Sequence, residues 1–233
     1  MSSEFLPLVI GFILGIKHAF EPDHLIAVST IVVDQKNPFK AALVGTFWGI
    51  GHTTSLLITG ILVLLLKLSI PRNLSIAFEF LIGIMLIILG ARAIQRGSVI
   101  LHAHQHEHEE ETHQHLHFHE GKPAYRKHHT SFLIGSIHGL AGSGALMLLV
   151  LATIPSLSQG LYYILLFGLG SIIGMTVMSF LLGLPFIFSA SKFPQIEKYM
   201  RIFAGTLSIL FGLFWIYQIL NNYSLLLLFF HQA

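Results

Sequence analysis

Six residues near the N-terminus differ in chemistry from everything around them. Lys17, His18, Glu21, Pro22, Asp23 and His24 stand inside the apolar stretch 5–31. Two imidazoles and a carboxylate within seven residues offer the nitrogen and oxygen donors that a divalent first-row transition metal prefers. Two more histidines, His52 and His138, also lie within apolar runs. Ionisable groups at membrane depth cost about 2.5–3.5 kcal/mol each on insertion scales, so their presence there points to function. The candidate metal-binding residues are therefore His18, Asp23, His24, His52 and His138. The sequence has no cysteine, which excludes thiolate sites, disulfides and iron–sulfur clusters. A site of nitrogen and oxygen alone suits Ni(II), Co(II), Zn(II) or Mn(II) and disfavours Cu(I).

On an unbroken helix, Asp23 and His24 would point about 140° and 240° away from His18, so the three side chains would diverge. Pro22 changes this. It lacks an N–H and its ring collides with the carbonyl four residues back, so the helix kinks or unwinds there. An unwound turn lets His18, Asp23 and His24 converge. The stretch from His138 to Gly144, with Gly139, Gly142 and Gly144, is equally poor as helix. Thr53 and Thr54 follow His52 and are candidates to orient a metal-bound imidazole. Glu21 and Asp23 are alternatively a proton relay, and Lys17 a neutralising partner for Glu21 or a snorkelling cation.

A second cluster is of another kind. Residues 102–119 read HAHQHEHEEETHQHLHFH, with His102, His104, His106, His108, His113, His115, His117 and His119, and His128 and His129 follow. Such tracts bind metals loosely and need not fold. Their many interchangeable ligand pairs suit capture and release better than one fixed site.

The elements that must position these residues are membrane helices. The 233-residue chain is 54% hydrophobic and 10% charged, against roughly 25% charged in a soluble domain. Six spans are expected, at about 5–31, 41–66, 74–95, 130–154, 160–189 and 201–220. Pro38, Pro71, Pro155 and Pro194 punctuate their junctions. The apolar tail 224–230 is too short to cross alone and is expected to extend the last helix or lie at the interface. The N-terminus lacks the basic start of a cleavable signal peptide, so the first span is expected to stay in place. Lys36, Lys40, Arg92, Arg96, Lys122, Arg126, Lys127, Lys192, Lys198 and Arg201 fall on one side, against Lys67 and Arg72 on the other. The positive-inside rule then puts both termini outside and the long 96–129 connection, with its His tract, in the cytoplasm. A net charge of +2 indicates no nucleic-acid or acidic partner.

The two halves resemble each other. Residues 14–20 (LGIKHAF) lie over 134–140 (IGSIHGL) at an offset of 120, and Gly83 and Gly90 lie over Gly205 and Gly212 at 122. Gly49, His52 and Thr54 lie weakly over Ser171, Gly174 and Thr176. Three spans is an odd number, so the second half must run inverted. Inverted repeats with interrupted helices form transporters, with the site near mid-membrane at the repeat interface. The expected fold is all-α: six transmembrane helices as two inverted three-helix repeats, 1–95 and 130–233, joined by the loop 96–129, with helices 1 and 4 interrupted.

The His18-x4-Asp23-His24 spacing, the Gly-x-Gly-His-Thr-Thr run ending at Thr54 and the segment at His138 resemble the nickel/cobalt transporter (NiCoT) family, and most of all its six-span, urease-accessory H-type members. Lys17 and Glu21-Pro22 stand where that family typically has Arg and Asp-Ala, and its second-half acidic motif is absent. The resemblance implies a permease for Ni(II) or Co(II) in the cytoplasmic membrane, with no bound cofactor and no enzymatic activity. Its essential residues would be His18, Asp23 and His24, with His52 after them. Partners would be the divalent ion, the bilayer and cytoplasmic nickel chaperones. Export of the same ions, a haem protein with paired axial histidines, and a metal sensor remain alternatives. No Walker motif and no His-Glu-x-x-His is present, so neither ATP hydrolysis nor zincin-type proteolysis is read from this chain.

Overall fold

A computed structural model describes residues 5–35, 37–66, 71–97, 124–140 and 156–230. The chain is an all-α membrane protein. Among the described residues there are seven helices: α1 (Phe5–His18), α2 (Pro22–Val32), α3 (Pro38–Leu66), α4 (Arg72–Gly97), α5 (Ala124–Leu140), α6 (Leu157–Lys192) and α7 (Pro194–Phe230). Four stretches, Pro38–Leu62, Arg72–Gln95, Leu157–Ser189 and Gln195–Asn222, are long and apolar enough to cross a bilayer. The first expected span is instead two short apolar helices, α1 and α2. The fourth, 130–154, is described as far as Leu140. The His tract, Pro155, Gly142 and Gly144 lie outside the described residues.

The break between α1 and α2 follows from Pro22. The residue before a proline is driven into extended backbone, and Glu21 has φ −66° and ψ 148°. Pro22 then occupies the first turn of α2, where its missing N–H costs nothing. The end of α1 tightens, with Phe20 N–H donating to Lys17 O and Glu21 N–H to His18 O, both at 3.0 Å. The first helix therefore stops at His18 and a new one starts at Pro22, two residues before His24.

Glycines bring the backbones together. A Cβ on Gly15 of α1 would overlap the Phe167 carbonyl of α6, and one on Gly170 of α6 would overlap the Phe12 carbonyl. The same arrangement recurs between α5 and α3, where Gly135 faces the Trp48 carbonyl and Gly51 faces that of Phe132. Phe12 and Gly15 thus correspond to Phe132 and Gly135, 120 positions on, while Trp48 and Gly51 correspond to Phe167 and Gly170, 119 positions on. This corrects the sequence register of the second span. His52 corresponds to Ser171, not Gly49 to Ser171, because the backbone approach rather than the glycine pattern fixes the match. Contacts advance together along α1 and α6 (Gly11 with Tyr163, Gly174 with Ala19), so these run parallel. Those of α3 and α6 advance in opposite senses (Gly45 with Met175, Gly49 with Ile172). Between α4 and α7 the contacts are reciprocal: Gly83 meets the Gly212 carbonyl and Gly212 that of Gly83, with Ser208 Oγ donating to Leu86 O at 2.7 Å between them. Such self-complementary pairing is what a two-fold axis produces.

Helix α5 begins at Ala124, six residues before the apolar run expected to span, with the polar residues AYRKHH forming its start. Helix α7 continues through the apolar tail to Phe230, the first of the two placements expected for it.

Candidate metal centre

Four imidazoles and one carboxylate meet at the break. His24 is central. Its ring lies 4.5 Å from that of His18, 5.3 Å from His52 and 4.2 Å from His138, centroid to centroid. The His18 and His52 rings are 5.1 Å apart. Asp23 bridges two of them, with Oδ1 3.2 Å from His24 Nδ1 and Oδ2 2.8 Å from His138 Nε2. Each imidazole is 3% exposed or less. The structure therefore gathers all five residues that the sequence marked: His18 from the end of α1, Asp23 and His24 from the start of α2, His52 from the middle of α3 and His138 from α5.

The donors form two overlapping sets that share His24. One donor atom each from His18, His24 and His52 lie within 4.8 Å of one another, and so do those of Asp23, His24 and His138. With metal–nitrogen bonds of about 2.0–2.1 Å, two ligands of one ion stand roughly 3–4 Å apart, so a small inward shift of either set would close it on an ion. His18 Nε2, His24 Nε2, His138 Nδ1 and both nitrogens of His52 are buried with no hydrogen-bond partner. Leaving a buried polar group unpaired costs about 1–3 kcal/mol. Each of the four imidazoles thus keeps a buried nitrogen free, one lone pair per ring, for a ligand that accepts it. The carbonyl end of α1 at His18 adds the negative pole of a helix dipole, which favours a cation.

Glu21 orients this site. Its Oε2 lies 3.0 Å from His18 Nδ1, leaving Nε2 to face the cage. That is the part a carboxylate plays behind a metal-binding imidazole. Lys17 is exposed, and the near partner of Glu21 is His18. Thr53 and Thr54 do not reach an imidazole. Thr53 Oγ1 donates to Gly168 O at 3.1 Å across the α3–α6 crossing, and Thr54 Oγ1 to Ile50 O at 2.7 Å within its own helix. A helical hydroxyl is drawn to the carbonyl one turn back, which sequence adjacency to His52 conceals.

Two aromatic neighbours were not singled out in the sequence. The Phe167 ring lies 5.6 Å from His18, and the Trp48 ring 5.7 Å from His138. Among many aromatic residues in apolar runs, only their place opposite the paired glycines distinguishes them. A separate ion-pair network lies at the end of α2. The buried Arg201 bonds Asp34 Oδ1 at 2.5 Å, Glu197 Oε1 at 2.6 Å and Val33 O at 3.4 Å.

Residues 58–214 match a family described as the cytochrome C biogenesis protein transmembrane region. Over 212 residues the chain is 43% identical to the urease accessory protein UreH of Bacillus sp. (strain TB-90), covering 91% of both proteins. It is 26% identical over 208 residues to two Arabidopsis thaliana proteins, chloroplast proteins FOR GROWTH AND FERTILITY 1 and 2. Those matches span 87% of this chain but only 56% and 54% of the plant proteins. No solved structure matches it. Matched over most of its length by that family and aligned almost end to end with UreH, the chain belongs to the cytochrome c biogenesis transmembrane-region family, in the branch that includes the urease accessory protein UreH.

Proposed function

We propose that this chain is a secondary transporter that carries Ni(II), with Co(II) as a second substrate, inward across the cytoplasmic membrane through the His/Asp cage. One observation carries the reading: donors from α1, α2, α3 and α5 converge where the first span breaks, and five of their nitrogens have no partner. Nitrogen-rich donors with one carboxylate suit Ni(II) and Co(II), and the likeness to a urease accessory protein favours nickel. The repeated crossings support six spans arranged as two inverted three-helix repeats, 1–95 and 130–233, with the site between them. A dication moving inward gains about 2.3 kcal/mol per charge per 100 mV of membrane potential. Each ion sheds water onto His18, Asp23, His24, His52 and His138. It then leaves toward the cytoplasmic His tract of the 96–129 loop, where soluble nickel chaperones collect it.

The test is nickel flux into proteoliposomes holding the wild-type chain, His18→Ala or Asp23→Asn. Uptake by the wild type and its loss in both variants is the expected result. Equal flux in all three removes the reading. Direction is settled in cells: a fall in nickel accumulation on expression, rather than a rise, makes the chain an exporter.

A further inference from the structure

The cage is covered on two sides by rings that occupy equivalent positions. Phe167, 3% exposed, covers His18, and Trp48, fully buried, covers His138. His18 and His138 correspond between α1 and α5, and Trp48 and Phe167 between α3 and α6. Each ring stands one turn, about 6 Å, toward the N-terminus of its own helix from the equivalent residues His52 and Ser171. Because α3 and α6 run in opposite directions, those displacements are opposite. Trp48 faces the membrane side where α3 begins, and Phe167 the side where α6 begins.

We propose that Trp48 and Phe167 are the two gates of the cage, one for each side of the membrane, and that this structure is its occluded state. The proposal rests on the transporter reading above. Each ring lies against an imidazole of the cage, Trp48 against His138 and Phe167 against His18, so moving the ring uncovers a ligand side chain. A large apolar ring excludes water, and hydrophobic constrictions close pathways by dewetting. Both closed positions also carry an unmade hydrogen bond. The Trp48 Nε1–H is buried without a partner, as is the hydroxyl of Tyr163, whose ring lies 6.4 Å behind Phe167. A swing that wets either group recovers that bond, so closure is held lightly. The break between α1 and α2 is the competing route, since Asp23 and Glu21 side chains keep 16% and 38% exposure there.

The absence of native cysteine makes the test direct. His52→Cys supplies a single thiol inside the cage, and Asn222→Cys, at an exposed position, a reference thiol. A membrane-impermeant methanethiosulfonate is applied to right-side-out and inverted vesicles in the presence of EDTA. The His52→Cys thiol should react from neither side, at least tenfold slower than the reference. Adding Phe167→Ala should raise its rate tenfold or more from the face where α6 begins, and adding Trp48→Ala from the opposite face only. Trp48→Phe, which keeps a ring, should leave it unreactive. Where an alanine variant fails to insert, leucine at the same position should give the same sidedness with a smaller gain. Reaction of His52→Cys alone makes the helix break the route and overturns the proposal. So does opening toward the same face, or toward both faces, in the two gate variants, or no gain in either. Nickel flux is measured separately: flux with unsided labelling removes the gates alone, and sided labelling without flux removes nickel transport.

Discussion

His24 is the one imidazole that belongs to both donor sets, so His24→Ala should weaken nickel binding more than loss of any other single histidine. Without it, His18 and His52 remain as one pair and Asp23 and His138 as another, and neither pair reaches the three donors of an intact set. His52→Ala by contrast leaves Asp23, His24 and His138 together, and His138→Ala leaves His18, His24 and His52. Loss of a partner that merely orients a metal ligand costs about 10–100-fold in affinity. A direct ligand held by both sets should cost at least the upper figure, about 2.7 kcal/mol or more, while His52→Ala and His138→Ala should each stay near 10–100-fold. Calorimetric titration of Ni(II) into detergent-solubilised protein at pH 7.5 measures all three, with a monodisperse elution profile as the folding control. Comparable losses for His24→Ala and His52→Ala would mean that the donors do not share His24, and the two-set geometry would be wrong.

His52→Leu should raise the melting temperature of the metal-free protein, because it removes two buried nitrogens that have no partner, each worth about 1–3 kcal/mol when unpaired. The same variant should lose much of the nickel-induced thermal shift, and a lower metal-free melting temperature would count against a cage built for a ligand. Nickel affinity should fall as pH drops from about 7.5 to 5.5, since imidazole nitrogens must be unprotonated to bind and protons compete with the ion. Titrations in two buffers of different ionisation enthalpy should show proton release on binding, and pH-independent affinity would argue against imidazole ligands. Arg201→Ala should destabilise the fold by roughly 3 kcal/mol, the lower end for a broken buried pair, because its partners Asp34 and Glu197 remain 17% and 20% exposed. Arg201→Lys should recover little of that in a thermal unfolding assay, as one ammonium cannot replace the guanidinium fork spanning both carboxylates.

The position of the break and its ligands was legible because proline and charge in an apolar span are costly and local. Pro22 dictated the extended backbone at Glu21, and the histidines could be read as converging without knowing the packing. His138 was legible through its correspondence with His18, at an offset of 120 within the match of residues 14–20 to 134–140. The structure differed where the outcome depends on helix contacts. Thr53 turned to the backbone of α6, and Glu21 to His18 rather than Lys17, because neighbouring elements offered better geometry than sequence proximity suggests. Phe167 and Trp48 were invisible as special residues, since one aromatic ring in an apolar run reads like another until its partner across the crossing is known. Helix α5 starts upstream of the apolar run for a related reason: hydropathy marks an apolar stretch, while hydrogen bonding marks where a helix begins.

The glycine contacts have a mechanical consequence. Where Gly15 and Gly170 join α1 to α6, and Gly51 and Gly135 join α3 to α5, the main chains touch with no side chain between them. Each pair has no room to slide and behaves as a single strut. The α3–α6 seam between the struts mixes two kinds of contact: a Cβ on Gly45 would meet the Met175 carbonyl, while the hydroxyls of Thr46 and Thr176 meet side chain to side chain at 2.9 Å. His18 rides on one strut, and His52 and His138 ride on the other, so any displacement along the seam changes the spacing of the nitrogens. Grip on the ion and motion of the scaffold are in this way a single coordinate.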